Sequence, residues 1–111
     1  MRYVAVIGTG TMAAGIAAGF IEEGIAVTIL GRTQDKAKAC LDAAIGLVQA
    51  KGNGKHRYGL MDEWQDWQDC IWVIETIAED LALKQALFRS LDERVPAHIP
   101  IGSNRDRKSV V

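Results

Sequence analysis

Tyr3-Val4-Ala5-Val6-Ile7-Gly8-Thr9-Gly10-Thr11-Met12-Ala13 is the stretch on which the reading of this chain turns. Five apolar, largely β-branched residues run without interruption up to Gly8, as expected of a short strand buried on both faces of a parallel sheet. Past the glycines, Met12, Ile16 and Phe20 recur at i, i+4 and i+8, with Glu22 and Glu23 just before Gly24, a spacing that predicts a helix with a glycine stop. Between strand and helix lies Gly8-Thr9-Gly10-Thr11-Met12-Ala13, the pattern G-x-G-x-x-A. Gly8 permits a tight turn, Gly10 lets backbone approach a pyrophosphate with no Cβ in the way, and Ala13 is small enough for the helix to sit on the sheet. The helix N-terminus then offers N–H groups and partial positive charge to the phosphates. In this context the motif points to a dinucleotide, through Gly8, Gly10, Thr11, Met12 and Ala13.

Working outward, Ala26-Val27-Thr28-Ile29-Leu30 reads as a second strand. Thr33 is an N-cap candidate, Asp35 suits the first turn, and Ala37, Leu41, Ile45 and Val48 give one apolar helix face ending near Gly52. From Lys51 to Asp69 a short strand over Arg57 to Met61 and a helical turn over Glu63 to Gln68 are expected. Ile71-Trp72-Val73-Ile74 is a buried strand. Asp80 or Glu79 opens a further helix, with Leu83, Leu87, Phe88, Leu91 and Val95 on one face and Pro96 as its stop. Ile99-Pro100-Ile101 is expected as an edge strand, where proline is tolerated. This β-α-β alternation specifies an α/β fold with a mostly parallel sheet and right-handed crossovers.

The second chemical signal is an absence. A NAD-selective site usually ends its second strand in Asp or Glu, which accepts from the adenosine ribose hydroxyls. Here Gly31 holds that place and Arg32 follows. Loss of the carboxylate removes repulsion of a 2′-phosphate, and a guanidinium can meet that phosphate in a bidentate pair, which favours NADP. The alternative is a solvated Arg32 beside a glycine that merely turns the chain.

Composition narrows the function classes. The 111 residues carry 13 Lys and Arg against 14 Asp and Glu, a formal net charge of −1, so no global field attracts nucleic acid or anionic lipid. A chain of this length should bury roughly 65% of the surface its unfolded form exposes, enough for one domain without disulfide or metal staples. Cys40 and Cys70 lack metal-ligand or CxxC spacing and read as buried reduced thiols of a cytoplasmic protein. The uncharged run from Tyr3 to Ile21 is long enough to suggest a membrane span, but its glycines and its change of period at Gly8 argue for strand, turn and helix instead.

The run Val4 to Ala17 resembles the opening of the 3-hydroxyacyl-CoA dehydrogenase family. The block Val73-Ile74-Glu75-Thr76-Ile77-Ala78-Glu79-Asp80-Leu81-Ala82-Leu83-Lys84-Gln85-Ala86-Leu87-Phe88 is similar to that family's signature, and Ser103-Asn104 falls where the family has Ser-Asn-Thr-Ser. The resemblance implies a Rossmann-like doubly wound parallel sheet, incomplete, of about five strands with helices on both faces. It places this domain over residues 1–104 and leaves 105–111 as a charged, disordered tail. It further implies cofactor contacts from Glu79, Lys84 and Asn104, NAD as the family's usual cofactor, and hydride exchange with a 3-hydroxyacyl-CoA in fatty acid metabolism. A bland reading leaves Glu79 as an N-terminal acid, Lys84 as a surface lysine and Glu75 as a structural residue.

The departures matter as much. The family's general-base histidine and the glutamate that orients it lie beyond this chain's end, as does the helical domain carrying the acyl-CoA and dimerisation surfaces. His56 and His98 do not occupy that motif and are expected to be solvated. After Asn104 comes Arg105-Asp106-Arg107-Lys108-Ser109-Val110-Val111, with Asp106 where a substrate-contacting serine is expected, a change that suggests truncation or a shifted frame. The expectation is a dinucleotide-binding part of an oxidoreductase, inactive alone, taking acyl-CoA only when the other domain is supplied. A stand-alone binding or regulatory module and a non-functional gene fragment are the alternatives.

Overall fold

The computed structural model describes residues 2–48, 55–76 and 81–103. In chain order these form β1 (Tyr3–Ile7), α1 (Thr11–Glu22), β2 (Ala26–Gly31), α2 (Gln34–Leu47), β3 (Arg57–Leu60), β4 (Cys70–Glu75), α3 (Leu81–Arg94) and β5 (Ile101–Ser103). The strands make one five-stranded sheet in the order β3-β2-β1-β4-β5. Every pairing is parallel: Ile7 stands level with Leu30 on one side and Glu75 on the other, and Glu75 with Ser103. The order reverses between β1 and β4, so their carboxyl ends flank the crevice where such sheets take ligands.

Alternation along the strands divides the core between two faces. Val4, Val6, Val27 and Ile29 point toward α1 and α2, whereas Tyr3, Ala5, Ile7 and Leu30 pack with Val73 against Leu91, Val95, Ile99 and Trp67. All of β1 is buried, in keeping with its unbroken apolar run.

The helix after the glycine loop buries a different stripe from the one its large residues suggest. Met12 is 46% exposed and Ile16 and Phe20 are half-buried, while Ala13, Ala14, Ala17, Ala18 and Ile21 are buried. Small side chains win this face because the helix axis must come close to the sheet for the loop to stay tight. The helix closes as expected at Gly24 (φ +82°), whose N–H donates to Ile21 O while that of Ile25 reaches Phe20 O.

Three other expectations are corrected. The second helix stops at Leu47, well short of Gly52, with Val48 already extended. The expected helical turn over Glu63 to Gln68 is instead two separate turns, one where the Glu63 and Trp64 N–H groups donate to Leu60 O and one where Cys70 N–H donates to Trp67 O. Seating both indoles inward decides that path: Trp64 Nε1 donates to Tyr3 Oη at 2.8 Å, Trp67 Nε1 to Trp64 O at 3.0 Å, and Arg57 lies over the Tyr3 and Trp64 rings. Finally, β5 begins at Ile101, so Pro100 precedes the strand and only its carbonyl takes part, accepting from Val73 N–H at 2.9 Å. With no N–H to donate, the proline stands just before the strand and contributes only this carbonyl to the pairing with β4.

Candidate functional site

At the carboxyl end of β1 the chain turns through Gly8, whose φ of +126° is a conformation that side-chain-bearing residues rarely adopt. Its N–H donates to Leu30 O at 2.9 Å, which ties the loop to the end of β2. Gly10 follows as the N-cap of α1 and carries no capping side chain. A Cβ built on Gly10 would meet nothing within 4 Å, so the space beside this backbone is open for a diphosphate to approach. Thr11 and Met12 are exposed in the first turn, and fully buried Ala13 seats the helix on the sheet. Gly10, Thr11 and Met12 are thus exposed at the positive end of the α1 dipole, over a base of buried Gly8 and Ala13.

Beside them lies a cavity of about 220 Å³ between the Gly8-Thr9 loop and the end of β2, with Gly31, Arg32, Lys36 and Met61 along its walls. Among the described residues, two cations and no carboxylate line it. Arg32 thus shares a cavity with the glycine loop. Gly31, however, is no simple turn. It closes β2, pairs with Leu60 of β3, and its carbonyl accepts from Met61 N–H at 2.9 Å.

Lys36 is the residue that sequence reasoning missed. Thr33 caps α2 as expected, its Oγ1 accepting from Lys36 N–H at 3.2 Å. Lys36 therefore occupies the third helical position, where a capping box places Glu or Gln. A lysine at the positive end of a helix opposes the dipole. That local conflict was the signal available in the sequence.

On the other side of the crevice, fully buried Glu75 ends β4. Thr76 then clamps the end of β1, donating from both N–H and Oγ1 to Ile7 O. Lys84 lies in the opening turn of α3, with its side chain outside what the structure describes. Glu79 and Asn104, together with residues 105–111, lie outside the described residues.

Both histidines lie at the opposite, amino-terminal end of the sheet. His98 is exposed ahead of β5. His56, expected to be solvated, is half-buried, and its Nδ1 accepts from Val27 N–H at 3.2 Å. Burial, followed by the charge of Lys55, pushes its pKa down, which favours the neutral ring that such acceptance requires. Cys40 and Cys70 are buried free thiols, their pKa values raised by burial. Among the described residues no cluster of His, Cys, Asp or Glu could hold a metal ion, and no helix is long and apolar enough to cross a membrane.

A family model, the NAD-binding domain of 3-hydroxyacyl-CoA dehydrogenase, matches residues 3–109. The chain belongs to this family. It is 31% identical to the peroxisomal fatty acid beta-oxidation multifunctional protein MFP2 of Arabidopsis thaliana, across 94% of this chain and 16% of that protein. It is 30% identical to a 3-hydroxybutyryl-CoA dehydrogenase of Clostridioides difficile, across 96% of this chain and 42% of that protein. The chain thus spans less than half the length of either relative. Among solved structures, a diketoreductase superimposes with a TM-score of 0.78 at 28% identity, covering 94% of this chain and 41% of the other. The 3-hydroxybutyryl-CoA dehydrogenase of Escherichia coli K12 gives 0.73 at 28% identity, covering 93% and 24%. This 3-hydroxyacyl-CoA dehydrogenase-type domain binds a dinucleotide of the NAD(P) kind, and the open backbone at Gly10 and the positive φ at Gly8 fit that ligand.

Proposed function

We propose that the chain is the cofactor-binding part of an oxidoreductase that moves hydride between a nicotinamide and a 3-hydroxyacyl-CoA, and that it prefers NADP to NAD. The nicotinamide supplies the hydride chemistry, and this chain's residues hold and orient the dinucleotide. In this reading Gly8, Gly10, Thr11, Met12 and Ala13 cradle the diphosphate, and Arg32 meets the 2′-phosphate with Lys36 beside it. Glu79, Lys84 and Asn104 contact the cofactor farther along the crevice. The observation that carries the NADP preference is the cavity at the end of β2, lined by two cations and closed by Gly31 in place of an acid.

The proposal extends to fatty acid metabolism, on the strength of the named Arabidopsis relative, and to a cytoplasmic location, which the two buried free thiols support. A binding module without chemistry of its own is the second reading. It draws on the position of His56 and His98 at the end of the sheet away from the crevice.

Calorimetric titration of the purified chain with NADP and NAD tests the assignment. Gly10→Val should abolish binding and leave the melting temperature nearly unchanged, because the new side chain enters open space and Gly10 has an ordinary extended backbone, φ −82° and ψ −174°. Undiminished affinity in this variant would reject the site.

A further inference from the structure

Gly31 and Thr9 are far apart in the sequence but meet where β1 and β2 end. A Cβ built on Gly31 would lie 2.5 Å from Thr9 Cγ2, a separation that real Cβ atoms essentially never show. Its other neighbours, Ala37 Cβ at 3.6 Å and Ala37 N at 3.7 Å, are at ordinary contact distance, so all of the crowding comes from the threonine. Thr9 is half-buried and β-branched, so relief requires its whole side chain to turn about χ1 and swing both γ substituents to new places. The glycine loop and the cofactor-selecting end of β2 are therefore mechanically linked.

We propose that Thr9 is a specificity-determining residue: its γ-methyl occupies the place a side chain at position 31 would need, and so bars the carboxylate that a NAD-selective site sets against the ribose hydroxyls. Resting on the reading of this cavity as the adenosine end of the dinucleotide site, the inference adds that the missing acid is held out by the loop. Arg32 and Lys36 then face an unopposed 2′-phosphate. The middle residue of a G-x-G loop, usually read as a spacer, here sets what the neighbouring strand can carry.

The interlock can be measured without any ligand. Gly31→Ala and Gly31→Asp should each lower the melting temperature by several degrees. Thr9→Ser, which deletes only the offending methyl group, should restore most of that loss in the double variants while costing little alone. In calorimetry the Thr9→Ser/Gly31→Asp protein should bind NAD about tenfold more tightly than the unaltered chain and NADP at least tenfold more weakly. Gly31→Asp alone should not gain NAD affinity.

If Gly31→Ala melts at the unaltered temperature, or Thr9→Ser fails to restore it, the interlock is overturned. If Gly31→Asp alone binds NAD as tightly as the double variant, the barring role is overturned. Equal affinity of the unaltered chain for NAD and NADP would reject the preference proposed above, whereas coupling in melting temperature would still establish the contact. The milder Gly31→Ala variant keeps the stability test available should the aspartate protein not fold.

Discussion

Thr76 is bound twice to Ile7: its N–H donates to the Ile7 carbonyl at 3.0 Å and its Oγ1 to the same oxygen at 2.9 Å. The contact joins the carboxyl ends of β1 and β4, the two strands between which the strand order reverses, and fixes the residue immediately before the glycine loop. Thr76→Val keeps the shape and the backbone bond but removes the hydroxyl. It should cost about 1 kcal/mol in urea denaturation, the ordinary net contribution of one such bond, and Thr76→Ser should recover most of it. A valine variant of unchanged stability would mean that the second bond contributes nothing.

Arg32→Ala and Lys36→Ala should each weaken NADP binding by about tenfold, consistent with an exposed ion pair of about 1 kcal/mol or slightly more. NAD, with no 2′-phosphate, should bind nearly as before. Titrations with 2′,5′-ADP and 5′-ADP isolate the same contact from the rest of the dinucleotide. Parallel losses for both nucleotides would place the two cations elsewhere in the ligand's path.

His56 makes stability depend on pH. Its Nδ1 accepts from Val27 N–H, and burial together with Lys55 holds its folded pKa below the ordinary value of 6.5. Below pH 6.5 the unfolded chain therefore binds more protons at this ring than the folded one. The contribution of His56 is complete above about pH 7 and declines as pH falls from 6.5 through the lowered folded value. His56→Gln should flatten that part of the curve of urea midpoint against pH. Coincident slopes for the two proteins between about pH 7 and 5 would show that the ring does not titrate in this way.

The 111-residue chain, mixed with NAD or NADP and a short 3-hydroxyacyl-CoA, should form no reduced nicotinamide above background by absorbance. A positioned general base is typically worth about 10²–10⁴ in rate, and both histidines stand at the wrong end of the sheet to act as one. Turnover that disappears in Gly10→Val would reveal a proton acceptor at the crevice and return attention to its other polar groups.

Local order was readable from residue types alone. An unbroken apolar run marks β1, Gly8 marks the turn that needs its positive φ, and Thr33 and Gly24 mark the start of α2 and the end of α1, because each of these depends on neighbours a few positions away. The turn from Gly8 into the first turn of α1 was legible for the same reason. Contacts made across the sheet were not. Which stripe of α1 is buried depended on how near the sheet must come, which favoured Ala14 and Ala17 over Met12 and Ile16. The path from Met61 to Asp69 followed from seating Trp64 against Tyr3 and Arg57. His56 became a hydrogen-bond acceptor only because β2 and β3 pair side by side. Gly31 reads in the sequence as a missing acid, but its cause is the γ-methyl of Thr9, brought to it when β1 and β2 align. Steric exclusion acts between surfaces that chain folding brings together, and residue spacing carries no record of it.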